Sequence, residues 1–234
     1  MKRVFMRALW GIYDNSNRMI KRRYQMDKDM SKIKANQFNE PFVVYVYGKE
    51  NYEMAKAKGF DCILVDENPA PFDLVKEQYR HKLELINYAM QNDGYDEMVF
   101  LDWDCVPQKK LPEDFWQVLG KKEIIQCNLQ QYHRRKCLWR GKKDTRKLPN
   151  AGFVYLRGKQ VAEDILKAWD TRRCKGPSAE PAIALVMDEM SDGWQGMEKY
   201  WDLYEPDFCN LWKCSVYPKD RLDTKNVSFI HYQG

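Results

Sequence analysis

Four apolar runs in the first hundred residues alternate with helix-competent stretches, and that alternation restricts the fold more than any other feature of the chain. Arg3 to Trp10 reads as a first strand. Phe42-Val43-Val44-Tyr45-Val46-Tyr47-Gly48 is a second, Cys62-Ile63-Leu64-Val65-Asp66 a third, and Glu97 to Asp102 a fourth. A charged, helix-competent stretch runs from about Asp14 to Asn36. A short helix from Asn51 to Lys58 ends at Gly59, a natural helix terminator. Asp73 caps a helix running to about Gln91, with Tyr79, Leu83, Ile86 and Met90 as its apolar stripe. Strands alternating with helices predict an α/β fold, with a central, mostly parallel mixed sheet flanked by helices. Ligands of such sheets sit beyond the carboxyl ends of the strands, where Asp66 and Asp102 fall.

The second half is less regular. Glu123 to Leu129 and Asn150 to Leu156 read as strands, and Val161 to Thr171 and Pro181 to Met190 as helices. Residues 191–214 are aromatic and turn-rich, and Ser228 to Tyr232 is a closing strand. Neither an internal repeat nor a low-complexity linker divides the chain. Its 234 residues suit one domain spanning 1–234.

Composition narrows the function classes. The net charge of +5 is weakly basic for so many charged residues; it helps attract phosphates without specifying nucleic acid. The 7 cysteines are odd in number and form no tight Cys-x-x-Cys pair, which argues against a structural zinc site and for thiols in a reducing compartment. Cys62 and Cys105 read as buried small residues. The N-terminal residues lack a long apolar segment and no window approaches a membrane span, so the expectation is a cytoplasmic protein, with a place at the membrane periphery as the alternative.

The segment Val99-Phe100-Leu101-Asp102-Trp103-Asp104-Cys105 carries the chemistry. It starts as a strand that wants burial and ends in two carboxylates one residue apart. Such a pair repels itself and resists desolvation unless a positive charge sits between its members. A divalent cation answers this, and hard ions such as Mn²⁺ and Mg²⁺ take oxygen ligands that a diphosphate completes. An ordinary acidic loop after a strand is the bland alternative.

The chain resembles the compact GT-A-type glycosyltransferases that use nucleotide sugars. Four features carry the likeness: the basic helix around Lys82-Leu83-Glu84-Leu85, the apolar-led Phe100-Leu101-Asp102-Trp103-Asp104, the Asn150-Ala151-Gly152-Phe153 strand start, and the late Ser228-Phe229-Ile230-His231-Tyr232. Ala151 stands where that family has a small hydroxyl residue. The resemblance implies a GT-A-like fold, with residues 1–104 as the nucleotide-binding half and 105–234 as the donor-sugar and acceptor half. It implies Mn²⁺ or Mg²⁺ held by Asp102, Asp104 and His231, with Asp102 and Trp103 also near the donor. The activity implied is transfer of a hexose from a UDP- or GDP-linked sugar to a glycan or other hydroxyl acceptor, with no nucleic-acid partner.

Further positions follow from the same likeness. Trp10, Gly11 and Tyr13 fall beside the nucleotide, and Asp66 at the base or ribose. Arg80 and Lys82 are the candidate phosphate contacts, although residues two apart point about 200° away from each other around a helix. Asn150 and Gly152 fall beside the donor sugar, the amide for directional hydrogen bonds and the glycine for room. Glu180 and Asp188 are the candidate catalytic carboxylates. The basic stretch 133–147, with Trp194, Trp201, Tyr204 and Trp212, is a candidate lid or acceptor side. Each position also has a plain reading as core, cap or solvated surface. Rival functions are a nucleotidyltransferase that makes nucleotide sugars, and a non-enzymatic carbohydrate- or nucleic-acid-binding protein; Trp10-Gly11-Ile12-Tyr13 lacks the glycine-rich loop of the former.

Overall fold

The computed structural model describes residues 1–11, 26–33, 37–69, 78–107, 110–111, 113–120, 124–128, 137–139, 142–144, 149–171, 182–183, 186, 209–212 and 229–232. Its centre is a six-stranded sheet built from β1 (Arg3–Leu9), β2 (Phe42–Tyr47), β3 (Asp61–Asp66), β4 (Glu97–Leu101), β6 (Ile124–Asn128) and β9 (Pro149–Arg157), in the order β3-β2-β1-β4-β9-β6. The first four strands pair in parallel, with Phe5 opposite both Phe42 and Val99. β9 runs antiparallel to β4 and to β6. The sheet is thus mixed and mostly parallel, as the alternation of the first hundred residues requires.

Burial on both faces explains why β1, β2 and β4 are nearly continuous apolar runs. On one face Val4, Met6, Ala8, Tyr45, Phe100 and Val154 pack against helices α2 (Gln78–Asn92) and α4 (Lys159–Asp170). The expected stripe holds: Leu83, Ile86 and Met90 are buried, and Tyr79 is half-buried. On the other face Phe5, Leu9, Val44, Val99, Leu101 and Phe153 form a second cluster with Ala55 of helix α1 (Lys49–Ala57), Phe115 of α3 (Phe115–Leu119) and Phe229. Each such side chain taken fully out of water contributes about 1.5–3 kcal/mol. α1 stops where expected, because Gly59 takes φ 78° and turns its N–H back to the Lys56 carbonyl at 2.8 Å.

The expected closing strand from Ser228 to Tyr232 is present as β11 (Phe229–Tyr232), while its partners were not legible in the sequence. A second sheet of order β10-β11-β5 joins it to β5 (Cys105–Pro107) and β10 (Cys209–Trp212). The basic stretch contains a two-stranded antiparallel ribbon, β7 (Cys137–Trp139) with β8 (Lys142–Asp144), and the turn-rich stretch 191–214 contains β10. Of the expected helix from Pro181 to Met190, Ala182, Ile183 and Val186 are described, helical and buried in the first cluster. Most of the stretch from Asp14 to Asn36 lies outside the described residues, as does the expected cap Asp73. Cys62 and Cys105 are buried free thiols, as expected. Among the described residues no helix is long and apolar enough to cross a membrane.

Candidate active site

From β1 the chain builds outward to β2 and β3, then returns past β1 to place β4 on its other side. Connections leave β1 and β4 in opposite directions, so a crevice opens between their carboxyl ends. Trp10 and Gly11 end β1 there, and Asp102, Trp103 and Asp104 end β4. Gly11 is buried with φ 72°, a conformation that glycine adopts without strain.

The strand β4 stops at Leu101, and the chain turns instead of staying extended. The amide of Asp102 still donates to the Gly152 carbonyl of β9 at 2.8 Å, and the amide of Cys105 closes a four-residue turn on the Asp102 carbonyl at 2.9 Å. Trp103, the residue between the two aspartates, is buried in the second core cluster with its indole N–H on the Ala8 carbonyl at 2.8 Å. Asp102 and Asp104 are both half-buried on this turn. β5 begins immediately after it and pairs antiparallel with β11, which sets His231 opposite Cys105. The register therefore brings the residue position of His231 next to the Asp-x-Asp turn. Among the described residues no three His, Cys, Asp or Glu side chains gather as a metal cluster.

Two buried cations serve the turn. Lys82, on α2, is 2% exposed and places its ammonium 2.8 Å from Asp102 Oδ1 and 4.3 Å from the centre of the Phe100 ring. Arg7, in the middle of β1, is fully buried and donates to the carbonyls of Asp102 and Cys105. Burial pulls the Arg7 guanidinium down to about 10, against the opposing pull of Cys105, Asp104, Asp102 and Asp29, and leaves it charged at neutral pH.

The remaining expected positions fall as follows. Arg80, also on α2, is held by Asp170 of α4 at 2.7 Å and by Glu84. Neighbouring His81 is buried, with Nδ1 2.6 Å from Glu84 Oε2 and its ring edge-on to Tyr47 at the end of β2. Asp66 is exposed at the end of β3, accepting the Asn68 amide at 2.9 Å. Trp10 is half-buried against the first core cluster. Asn150 lies near the start of β9, opposite Cys127 of β6, at the same end of the sheet as Asp102. Tyr13, Glu180 and Asp188 lie outside the described residues.

The architecture is similar to that of the mouse xyloside xylosyltransferase 1 apo form, with a TM-score of 0.54 at 10% identity, covering 99% of this chain and 97% of that one. A glycosyltransferase involved in the glycosylation of the major capsid of PBCV-1 gives 0.53 at 12% identity, covering 100% and 94%. The WbbM bifunctional glycosyltransferase apo structure gives 0.52 at 14% identity, covering 100% of this chain and 46% of that one. The fold is GT-A-like. No protein-family model matches the sequence, and no curated protein does. At such identities the likeness speaks for the GT-A-like fold alone. Arg7 is the residue of this site that sequence reading misses; its only signal is a basic side chain inside the otherwise apolar run 4–9 of β1.

Proposed function

We propose that this chain is a metal-dependent glycosyltransferase that moves a hexose from a UDP- or GDP-linked sugar to a glycan or other hydroxyl acceptor. The observation that carries the reading is the turn Asp102-Trp103-Asp104 at the switch point of a GT-A-like sheet, with the buried ammonium of Lys82 on its first carboxylate. The donor set fits a hard divalent cation: two carboxylates on one turn, and a histidine whose strand pairs with the residue after Asp104. On this reading Asp102, Asp104 and His231 hold Mn²⁺ or Mg²⁺, which when bound supplies Lewis-acid stabilisation to the departing diphosphate.

The other residues take roles that follow from their places. Lys82 offers a fixed positive charge to the donor diphosphate, stabilising both binding and leaving-group charge. Arg80 is the second phosphate candidate, reachable only by release from Asp170 and Glu84. Trp10, Gly11 and Tyr13 receive the base, Asp66 the ribose, and Trp103 braces the turn from below. Asn150 and Gly152 border the sugar. Glu180 and Asp188 are the carboxylates assigned to the sugar and acceptor hydroxyl. Residues 1–104 thus bind nucleotide, and 105–234 complete the sugar and acceptor side of the same domain.

Binding and hydrolysis of UDP-, GDP-, ADP- and CMP-sugars with Mn²⁺, with Mg²⁺ and with chelator test this reading. The expected result is selection of one donor that chelation abolishes. A folded protein that binds none of them in a metal-dependent way would overturn it and turn the search to carbohydrate or nucleic-acid ligands.

A further inference from the structure

Arg7 occupies a position that an apolar residue would fill more cheaply. Its neighbours on that face of β1 are Phe5 and Leu9, both fully buried. Its guanidinium lies 5.2 Å from the Trp103 ring centre and 5.8 Å from that of Phe42, in an aromatic setting without water-facing surface. Taking a charge there is costly unless hydrogen bonds compensate it. Compensation is incomplete, because Nε has no hydrogen-bond partner among the described residues. Both hydrogen bonds that Arg7 makes among the described residues go to one place: Nη1 to the Asp102 carbonyl and Nη2 to the Cys105 carbonyl. Those carbonyls bracket Trp103 and Asp104. The next residue of the same strand, Ala8, takes the Trp103 indole N–H at 2.8 Å. β1 therefore grips the Asp-x-Asp turn at three points.

We propose that Arg7 is a positioning residue for the turn. Its planar fork fixes the backbone on both sides of Asp104, so the two carboxylates are aimed before a cation arrives. Its charge lies beneath them as an internal counter-ion that eases their mutual repulsion. Arg7 acts through the turn and touches no donor. The inference rests on reading the turn as a cation site. A lysine cannot replace it, because a single ammonium on a flexible stem does not span two carbonyls in a fixed geometry.

The test is Mn²⁺ affinity, measured from the electron paramagnetic resonance signal of free Mn²⁺, alone and with saturating UDP or GDP. Wild type is compared with Arg7→Lys, whose fold is checked by circular dichroism. The expected result is that Arg7→Lys, which keeps a basic group but not the fork, binds Mn²⁺ at least about tenfold more weakly while remaining folded. Affinity within about twofold of wild type overturns the role of Arg7 and leaves the cation site standing. Wild type that binds no Mn²⁺ under any of these conditions overturns the cation site itself, and the proposal with it. If Arg7→Lys does not fold, Arg7→Gln decides, since its amide keeps a donor at that position and removes the fork. A loss of about threefold or more supports the clamp, and unchanged affinity overturns it.

Discussion

Lys82 and Asp102 form an ion pair across the mouth of the sheet, 2.8 Å from Nζ to Oδ1, in which the lysine is almost wholly buried and the aspartate about a third exposed, at 3% and 32% of their side chains. One partner thus lies almost wholly inside the fold at the edge of the crevice, while the other is open to an incoming ligand. The ammonium also faces the Phe100 ring, so both its polar and its aromatic contacts lie within the fold.

Lys82→Ala leaves Asp102 without this cation at the crevice. Stability is expected to fall by about 1–2 kcal/mol in urea unfolding, below the cost of breaking a fully buried pair because Asp102 is partly solvated. Donor-nucleotide affinity is expected to fall at least about tenfold.

Arg80→Ala gives the opposite balance. Arg80 and Asp170 are both partly exposed, at 37% and 43%, so their pair contributes less than about 1 kcal/mol. Because Asp170 and Glu84 already hold the guanidinium, donor affinity is expected to stay within about threefold of wild type. Nucleotide titration of the two variants side by side separates the lysine from the arginine.

Asp104→Ala and His231→Ala are each expected to abolish the metal-dependent part of nucleotide-sugar binding and to leave any metal-independent part in place. Calorimetric titration of UDP- and GDP-sugars with Mn²⁺ and with chelator reads both parts. Metal-dependent binding that survives in both variants would remove these residues from the site.

Two tyrosines set an alkaline limit to stability. Burial, followed by a hydrogen bond to a carboxylate, pushes both phenols above their ordinary 10, Tyr155 against Glu97 at 2.6 Å and Tyr45 against Asp93. Above about pH 10 the unfolded chain therefore loses protons that the folded chain keeps, and stability falls as pH rises. Arg7 works in the other sense, because its folded value of about 10 lies below its ordinary 12.5, and it partly offsets the fall. Denaturation followed from pH 9 to 11, with phenolate absorbance at 295 nm, is expected to show delayed tyrosine ionisation. Tyr155→Phe should make the fall shallower.

Gly120 tests the other end of the sheet. A Cβ there would sit 2.9 Å from Glu97 Oε1 and 3.0 Å from the Trp116 carbonyl. Glu97 cannot yield, since Arg3 and Tyr155 each hold it at 2.6 Å. Gly120→Ala is expected to cost about 1–3 kcal/mol in urea unfolding. A gain in stability, the usual result where an alanine fits, would show that Glu97 shifts.

How far the sequence could be read depended on what each segment had to bury. β2 and β4 were plain because they lie between two helical layers and expose no face. The two aspartates were plain for the converse reason: a pair of closely spaced charges after an apolar run has no place in a core. Arg7 was hidden because alternation along a strand assigns a charge to solvent, and only the neighbouring turn reveals why this one points inward. β5 was hidden because a strand of three residues carries too few side chains to show a period, and β10 because it lies within an aromatic, turn-rich stretch that does not set it apart. The pairing of Cys105 with His231 has no local signature at all, since strands so far apart in sequence meet only through the finished fold.

That pairing has a consequence for how the molecule comes into being. β1 to β4 are complete within the first 101 residues, and their parallel ladder can assemble as soon as those residues are free. The strand that faces Cys105 is made more than a hundred residues later, and joining them costs the entropy of closing that entire loop. The parallel part of the sheet can thus form before the histidine side of the crevice joins it, so that cation capture, on the function proposed, waits for the closing of that loop.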